Sequence, residues 1–477
     1  MTLGPKAVES FLAMVSAAGR AASSWSLSSN SYPRTSDPLS MPDLPSPNDL
    51  RRKVGKEVKL AGWVHDVRVL GGISFVLVRN ARGIVQVAAP KKSVPPELFE
   101  LISSLHQEDV VRVSGSVKES KVARLGFEII PSHVEIISKA AAPLPLDPRG
   151  VTAASLDTRL EWRSLELRRP ETAAIFKIEN AIVQGFEDFF QSHGFIRAFT
   201  PSIIGGVSEG GSEVFKIDFY GKDAYLRQDP QLHRQLTIAG GFDRIYDLGT
   251  NWRAELSHTP RHLSEHRTIA PEIAFIADER DTMRLEEEMV AHGIRHAIKA
   301  CAEELNLLKV DLQVPKAPFP EVKFPDVYEV LEGLGKKLPS NQDIDDPTQR
   351  ALAAHVKEDS GSDFFFLNRF PSVIRPFYIM RVDEEPEFAR SVDLVYKGVE
   401  LSSGGQREHR HDKIVAQIKE KGYNLKSLEW FTEPFRYGVP PHGGYSFGIE
   451  RFTAYILGME NIKEAALFPR DPERLIP

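Results

Sequence analysis

A proline-rich joint, Ala142-Pro-Leu-Pro-Leu-Asp-Pro-Arg-Gly150, divides this chain into two parts whose apolar residues follow different periods. Between Val58 and Ile137 short runs alternate apolar with polar residues, the period of strands with one buried face. After the joint, strand-like and helix-like runs mix without settling into regular strand–helix units. One sheet or one bundle cannot satisfy both patterns, so the chain must build separate cores. Its 477 residues are ample for two or three domains. Proline holds such a joint semi-rigid, which matters if two surfaces must meet one large ligand at a fixed separation.

The first part contains five strand runs: Val58-Lys-Leu-Ala-Gly-Trp-Val64, Ile73-Ser-Phe-Val-Leu-Val78, Ile84-Val-Gln-Val87, Val110-Val-Arg-Val-Ser-Gly115 and Phe127-Glu-Ile-Ile130. With glycine at the bends and a helical piece around Pro96 to Leu105, they predict a small OB-type barrel over residues 51–138. Such barrels bind single-stranded nucleic acid by stacking bases on aromatics, although Phe75 would serve equally as barrel core. Residues 1–50 are rich in Ser, Ala and Pro and read as a disordered tail. Its stretch before Met41 is poor in acids, as in a transit peptide, but carries few arginines; a leader with its start at Met41 is the alternative. Residues 139–165 read as a hinge and 166–477 as the larger domain.

That domain opens with an amphipathic helix from about Pro170 to His193, followed by Gly194-Phe-Ile-Arg-Ala-Phe-Thr-Pro201. Its irregular mixture of elements predicts an antiparallel α+β fold rather than a parallel nucleotide-binding sheet. No G-x-x-x-x-G-K-[ST] is present, which argues against a P-loop. The chemistry concentrates in Asn251-Trp-Arg-Ala-Glu-Leu-Ser-His-Thr-Pro-Arg-His-Leu263. On a strand, Arg253 and Glu255 share one face, and the Ser/Thr/Pro-rich turn brings Arg261 and His262 behind them. One cation, one anion and further cations suit a nucleoside triphosphate. Alone, R-x-E would fit an exposed ion pair on a surface hairpin. Near the C-terminus Gly448-Ile-Glu-Arg451 opens a helix with an apolar stripe through Phe452, Tyr455 and Ile456.

Composition excludes some classes. No apolar run approaches the length of a membrane span. The net charge is −6, so any RNA contact must come from local basic patches. Cys301 is the sole cysteine, which excludes an intrachain disulfide and a thiolate zinc cluster. These features fit a cytoplasmic enzyme.

R-x-E with its loop and the late G-I-E-R together resemble motifs 2 and 3 of the class II aminoacyl-tRNA synthetases. From Gly55 to Pro477 the chain resembles aspartyl-tRNA synthetases of the archaeal and eukaryotic type, through G-W-V-H-D-V-R, L-D-T-R-L, S-E-G-G-S-E-V-F, Q-D-P-Q-L-H-R-Q, G-V-E-L-S-S-G-G-Q-R-E-H-R-H-D, Y-G-V-P-P-H-G-G and F-P-R-D-P-E-R-L. The resemblance implies an OB-fold barrel for the anticodon and an antiparallel catalytic sheet flanked by helices. It also implies a homodimer that joins L-aspartate to ATP as an adenylate and passes it to tRNA(Asp). Arg253 would bind the α-phosphate and the substrate carboxylate, Glu255 the adenine, Arg261, His262 and Leu263 the outer-phosphate side, and Arg451 the γ-phosphate. Asp393, Glu400 and Ser403 would hold Mg²⁺, with Glu400 also on the ATP side. Glu209, Ser212, Asp229, Gln231, Arg234, Ser403 and Arg407 would surround the amino acid. On the barrel, Phe75 would stack an anticodon base, with His65, Arg68, Gln86 and Arg124 around it. His65 resembles members that also charge tRNA(Asn), whereas Arg124 resembles those restricted to tRNA(Asp).

The amino-acid pocket departs from the family's pattern. Its Q-S-P-Q-L-x-K-Q stands here as Gln228-Asp-Pro-Gln-Leu-His-Arg-Gln235, and its later Asp is Ala270 within His266-Arg-Thr-Ile-Ala-Pro-Glu272. Compensation is the expectation: Asp229 replaces the lost partner of the substrate ammonium, and Arg234 keeps a cation facing the side-chain carboxylate. The alternatives are a paralogue with a re-aimed pocket, serving another acidic amino acid or biosynthesis, and a silent RNA-binding relative.

Overall fold

The computed structural model describes residues 44–206, 213–256, 259–339 and 342–477, and the chain forms two compact units that part between Leu144 and Pro145. In the first, strands β1 (Glu57–Leu70), β2 (Ile73–Asn80), β3 (Gly83–Pro90), β4 (Val110–Glu119) and β5 (Phe127–Ser138) close a barrel in the order β1-β2-β3-β5-β4. The alternation read from the sequence becomes inside and outside: Leu60, Val64, Val76, Val78, Val85, Val87, Val111 and Val113 fill the interior. The helix Pro96–Ser103 adds Phe99 and Ile102 to the same core. Glycine is required at position 62, where a Cβ would fall 2.3 Å from the Arg79 carbonyl oxygen.

The end of the expected tail belongs to this unit. Ser46 and Asp49 cap the helix Pro47–Arg51 reciprocally, and Leu50 is wholly buried among the barrel residues. The remainder of that expectation, residues 1–43, lies outside the described residues.

The second unit is built on an eight-stranded sheet containing β6 (Ile196–Ala198), β10 (Arg244–Trp252), β11 (Glu265–Ala274), β12 (Glu321–Lys323), β13 (Phe364–Asn368), β14 (Ser391–Tyr396), β15 (Val399–Arg407) and β16 (His442–Gly448). Its order is β12-β13-β14-β15-β16-β11-β10-β6, antiparallel except at the two ends, where β12 pairs parallel to β13 and β6 to β10. A small sheet of β7 (Ile203–Ile204), β9 (Lys222–Leu226) and β8 (Lys216–Phe219) stands apart from it.

The helix Pro170–Ser192 puts Ile175, Ile178, Ile182, Phe186 and Phe189 on one face at spacings of three and four, and buries them in the main core. Each such side chain contributes roughly 1.5–3 kcal/mol. The helix Arg280–Ala300 packs on it so closely that a Cβ at Gly293 would lie 2.3 Å from the Phe186 ring.

The expected hinge is not one uniform link. Leu156–Glu161 and Arg163–Glu166 are helical, and the enclosed Arg163 donates to the carbonyls of Glu464, Ala466 and Leu467. Residues 156–166 are therefore fastened to the C-terminal segment of their own unit.

Candidate active site

A cavity of about 580 Å³ opens beside the sheet of the second unit, lined from β10, β11, β14, β15 and β16, from the start of the helix Gln231–Ala239 and from loops including residues 373–379. At one end stand Arg253, Glu255, Arg261, His262 and Arg451. Arg253 and Glu255 do not lie on a strand as their spacing predicted, because β10 ends at Trp252. The chain stays tethered there by the Arg253 N–H, which donates to the Ser264 carbonyl at 2.9 Å. Arg253 lies 3.5 Å from Glu255, and His262 Nε2 approaches the other Glu255 oxygen at 3.5 Å. Arg261 reaches Asp346 at 2.6 Å. Arg451, on the first turn of the helix Ile449–Ile456, donates to the Glu400 carbonyl at 2.9 Å with the Glu400 carboxylate 3.6 Å away. Leu263 also lines the cavity, and it packs with Ala454, Ile462, Ala465 and Ala466, which anchors the loop that carries the cations.

Asp393 and Ser403 face each other across β14 and β15, and a bulge after Leu394 sets Glu400 opposite Val395. Asp393 is buried, and burial together with the Glu400 charge pushes its carboxyl up to about 7, against the pull of Arg375. Arg375 donates to Asp393 Oδ2 at 2.5 Å and to the Ser403 hydroxyl at 3.5 Å, with its guanidinium over the Phe370 ring. Asp393 Oδ1 is buried without a hydrogen-bond partner. An orphaned carboxylate oxygen beside a half-exposed second carboxylate and a hydroxyl fits Mg²⁺, which takes few protein ligands and completes its shell with phosphates and water. Arg375 was not foreseen; its partnership depends on a loop remote in sequence.

At the other end the structure corrects one expectation. Arg234, on the helix Gln231–Ala239, does not face the cavity. Its guanidinium is fully enclosed and donates to Asp229 Oδ1 at 2.7 Å, to Gln231 Oε1 at 2.6 Å and, at 3.5 Å, to Glu272 Oε2. Arg407, the last residue of β15, does reach the cavity wall. It donates to Glu272 Oε1 at 2.9 Å and to the Gly444 carbonyl at 2.9 Å.

Asp229 lies on the cavity wall, 12% exposed. Burial opposes its charge, but Arg234, the Ser446 hydroxyl and Arg407 hold its carboxyl below the ordinary value. Gln231 lines the same wall and donates to Glu272 at 3.2 Å. Ala270 is buried opposite Asp247, whose carboxylate is taken by Arg227 and Thr200. Glu209 and Ser212 lie outside the described residues.

His266 went unforeseen as a cavity residue. Burial, Arg253 and Arg451 drive its imidazole down to about 3, so it is neutral at physiological pH, and Asp229 pulls the other way.

On the barrel, Phe75 sits between the buried Ser74 and Val76 and takes no part in the core, so its ring belongs to the outer face. Arg68 stands directly across from it, and Gln86 is opposite Leu77, two residues along the same face. Arg68 pairs with Asp66 at 2.8 Å. Gln86 donates to Glu128 of β5 at 2.9 Å, a neighbour the sequence did not single out. His65 occupies a bulge of β1, where the register slips between Val64 and Asp66, and its Nδ1 lies 2.9 Å from Arg79. Arg124 stands on an exposed turn between β4 and β5, off the strands that carry the others.

Comparison with known proteins agrees with this division. Residues 155–472 match the model of tRNA synthetases class II (D, K and N), and residues 58–137 match that of the OB-fold nucleic acid binding domain. The chain is 48% identical over 423 residues to an aspartate–tRNA(Asp) ligase of Thermococcus kodakarensis, covering 89% of this chain and 97% of the relative. It is 44% identical to an aspartate–tRNA(Asp/Asn) ligase of Methanopyrus kandleri, covering 89% and 96%. The crystal structure of asparaginyl-tRNA synthetase from Pyrococcus horikoshii complexed with asparaginyl-adenylate superimposes with a TM-score of 0.83 at 32% identity, covering 89% and 97%.

Proposed function

Because this chain belongs to the class II tRNA synthetases of the D, K and N group, we propose that it is an aspartate–tRNA ligase, activating L-aspartate with ATP and passing it to tRNA(Asp). One observation carries the reading: Arg253, Glu255, Glu400, Arg407 and Arg451, drawn from distant segments, line one cavity. Arg253 binds the α-phosphate and the substrate carboxylate, and Glu255 accepts from the adenine amino group. Arg261, His262 and Arg451 meet the outer phosphates. The α-carboxylate of aspartate attacks the α-phosphorus of ATP in line, the bond from that phosphorus to the bridging oxygen breaks and pyrophosphate leaves, so no side-chain nucleophile is needed. The arginines stabilise the charge that builds on the equatorial oxygens. Asp393, Glu400 and Ser403 would hold Mg²⁺, whose contribution is to neutralise phosphate charge. The same site then presents the adenylate to the tRNA 3′ end.

The protein works as a cytoplasmic homodimer in this reading. The end strand β6 and the residue after it leave Ile196 and Phe199 exposed at 54% and 84%, an apolar edge suited to a second copy. No helix among the described residues is long and apolar enough to cross a membrane. The barrel face around Phe75 binds the anticodon by stacking and edge contacts. A wider tRNA range that includes tRNA(Asn) is the second reading, favoured by His65 in its bulge and opposed by Arg124.

ATP–pyrophosphate exchange across the amino acids, followed by charging of tRNA(Asp) and tRNA(Asn) transcripts, tests these statements. Exchange with aspartate and aspartylation of tRNA(Asp) are expected. Exchange driven by another amino acid with aspartate inert, or no exchange at all, would overturn the reading.

A further inference from the structure

The amino-acid end holds two guanidinium groups and two carboxylates, but they are not equivalent. Arg407 lines the cavity, whereas Arg234 is enclosed behind the wall and its donors are engaged by Asp229, Gln231 and Glu272. A substrate carboxylate cannot reach Arg234 without displacing a buried ion pair at 2.7 Å. Asp229 is the group that Arg234 presents to the cavity. It shares the cavity wall with Arg407, His266, Arg253 and Arg451, and Arg407 helps to hold it ionised. An acid on a wall otherwise supplied with cations for the two carboxylates is suited to the α-ammonium of a bound amino acid.

Resting on the aspartate reading, we infer that Asp229 is the receptor for the substrate's α-ammonium and that Arg234 is a positioning residue holding Asp229 in place, which leaves the side-chain carboxylate to Arg407, the guanidinium on the cavity wall. The Ser and Lys of the family's pattern are then replaced here as a pair, since an added wall carboxylate needs a planar, multiply donating cation behind it.

Succinate is aspartate without its ammonium, and it separates the two roles. With the full chain, the aspartate KM in pyrophosphate exchange and the succinate inhibition constant are measured for wild type, Asp229→Asn, Asp229→Ser and Arg234→Lys, with melting curves to confirm folding. Asp229→Asn should raise the aspartate KM about ten- to hundredfold, with a smaller change in kcat, because a hydrogen bond between charged groups is lost. Succinate should bind that variant as well as wild type or better, because a repelling carboxylate has gone. Arg234→Lys should follow the same pattern in milder form, with aspartate weakened and succinate spared. If Arg234→Lys weakens aspartate and succinate equally, Arg234 binds the side chain and the inference is wrong. If Asp229→Asn weakens both equally, Asp229 is not the ammonium receptor. Should wild type use another amino acid instead of aspartate, the functional reading fails separately. The same comparison with that amino acid and its des-amino analogue then still decides the role of Asp229.

Discussion

The two ends of the cavity hold their charges in different ways. At the phosphate end Arg253 and Arg451 are 47% and 28% exposed and approach their carboxylates only to 3.5 and 3.6 Å. At the amino-acid end Arg234 and Arg407 are 0% and 3% exposed and grip Asp229 and Glu272 at 2.7 and 2.9 Å. Loose, solvated pairs contribute little to stability and can exchange a carboxylate for a phosphate at little cost. Enclosed pairs are part of the fold, and breaking one strands the other charge. In the proposed reading, the phosphate end is thus built to change partners, and the amino-acid end to keep a fixed field around a small substrate.

The largest effect should come from breaking the enclosed network. Glu272 lies between Arg234 and Arg407 and is wholly buried. Arg407→Ala or Glu272→Gln should destabilise the second unit by about 3–5 kcal/mol, as expected for an orphaned buried charge. Melting should drop by several degrees, and aspartate-dependent exchange should be lost with it. An unchanged melting curve would mean that the network does not support the fold.

Arg253→Ala and Arg451→Ala should behave oppositely. Removing one donor to developing phosphate charge lowers exchange by about a hundred- to a thousandfold. Melting should stay within roughly 0.5 kcal/mol of wild type, since half-exposed pairs add little. A large loss of stability in either variant would erase the distinction between the ends.

The same contrast explains what the sequence could show. Arg253, Glu255, Arg451, Asp393 and Glu400 sit in short blocks whose order and spacing bear the resemblance; Arg253, Glu255, Glu400 and Arg451 line one cavity, and the pairing of β14 with β15 sets Asp393 on the strand beside that of Glu400. The two domains were legible because a period of two gave way to mixed periods at a proline joint. The enclosure of Arg234 is not legible, because its direction is set by Glu272, 38 residues away, and by the turn that folds Asp229 back onto its own helix. Arg375, His266 and Glu128 carry no local signal at all; each gains its surroundings from loops or strands distant in sequence. Leu50 was assigned to the tail because a composition rich in Pro and Ser hides one capped turn.

The barrel face extends the comparison to the outer surface of a strand layer. Phe75 is half-buried on the outer face, so Phe75→Ala removes a stacking platform rather than core volume. Stacking is worth roughly 1–3 kcal/mol per base, so tRNA charging should weaken by about ten- to hundredfold in kcat/KM. Exchange without tRNA should match wild type. Joint loss of both activities would show that Phe75 supports the barrel itself.

The smallest effect, and the one of opposite sign, is expected at Asp346. It holds Arg261 at 2.6 Å from the first turn of the helix Asp346–Ser360, and its side chain is 57% exposed. If the phosphate end is built to change partners, this carboxylate competes with ATP for Arg261. Asp346→Asn should then lower the ATP KM, by no more than about fivefold, since an exposed pair is worth at most about 1 kcal/mol. The helix should lose only a few tenths of a kcal/mol, because Asp345 still caps it. Added salt should shrink the difference between variant and wild type, as screening weakens the competing pair. Losing a carboxylate would thus help binding at this end, whereas Glu272→Gln harms it at the other. A rise in the ATP KM would mean instead that Asp346 holds Arg261 in its working position, and that the phosphate end is as fixed as the amino-acid end.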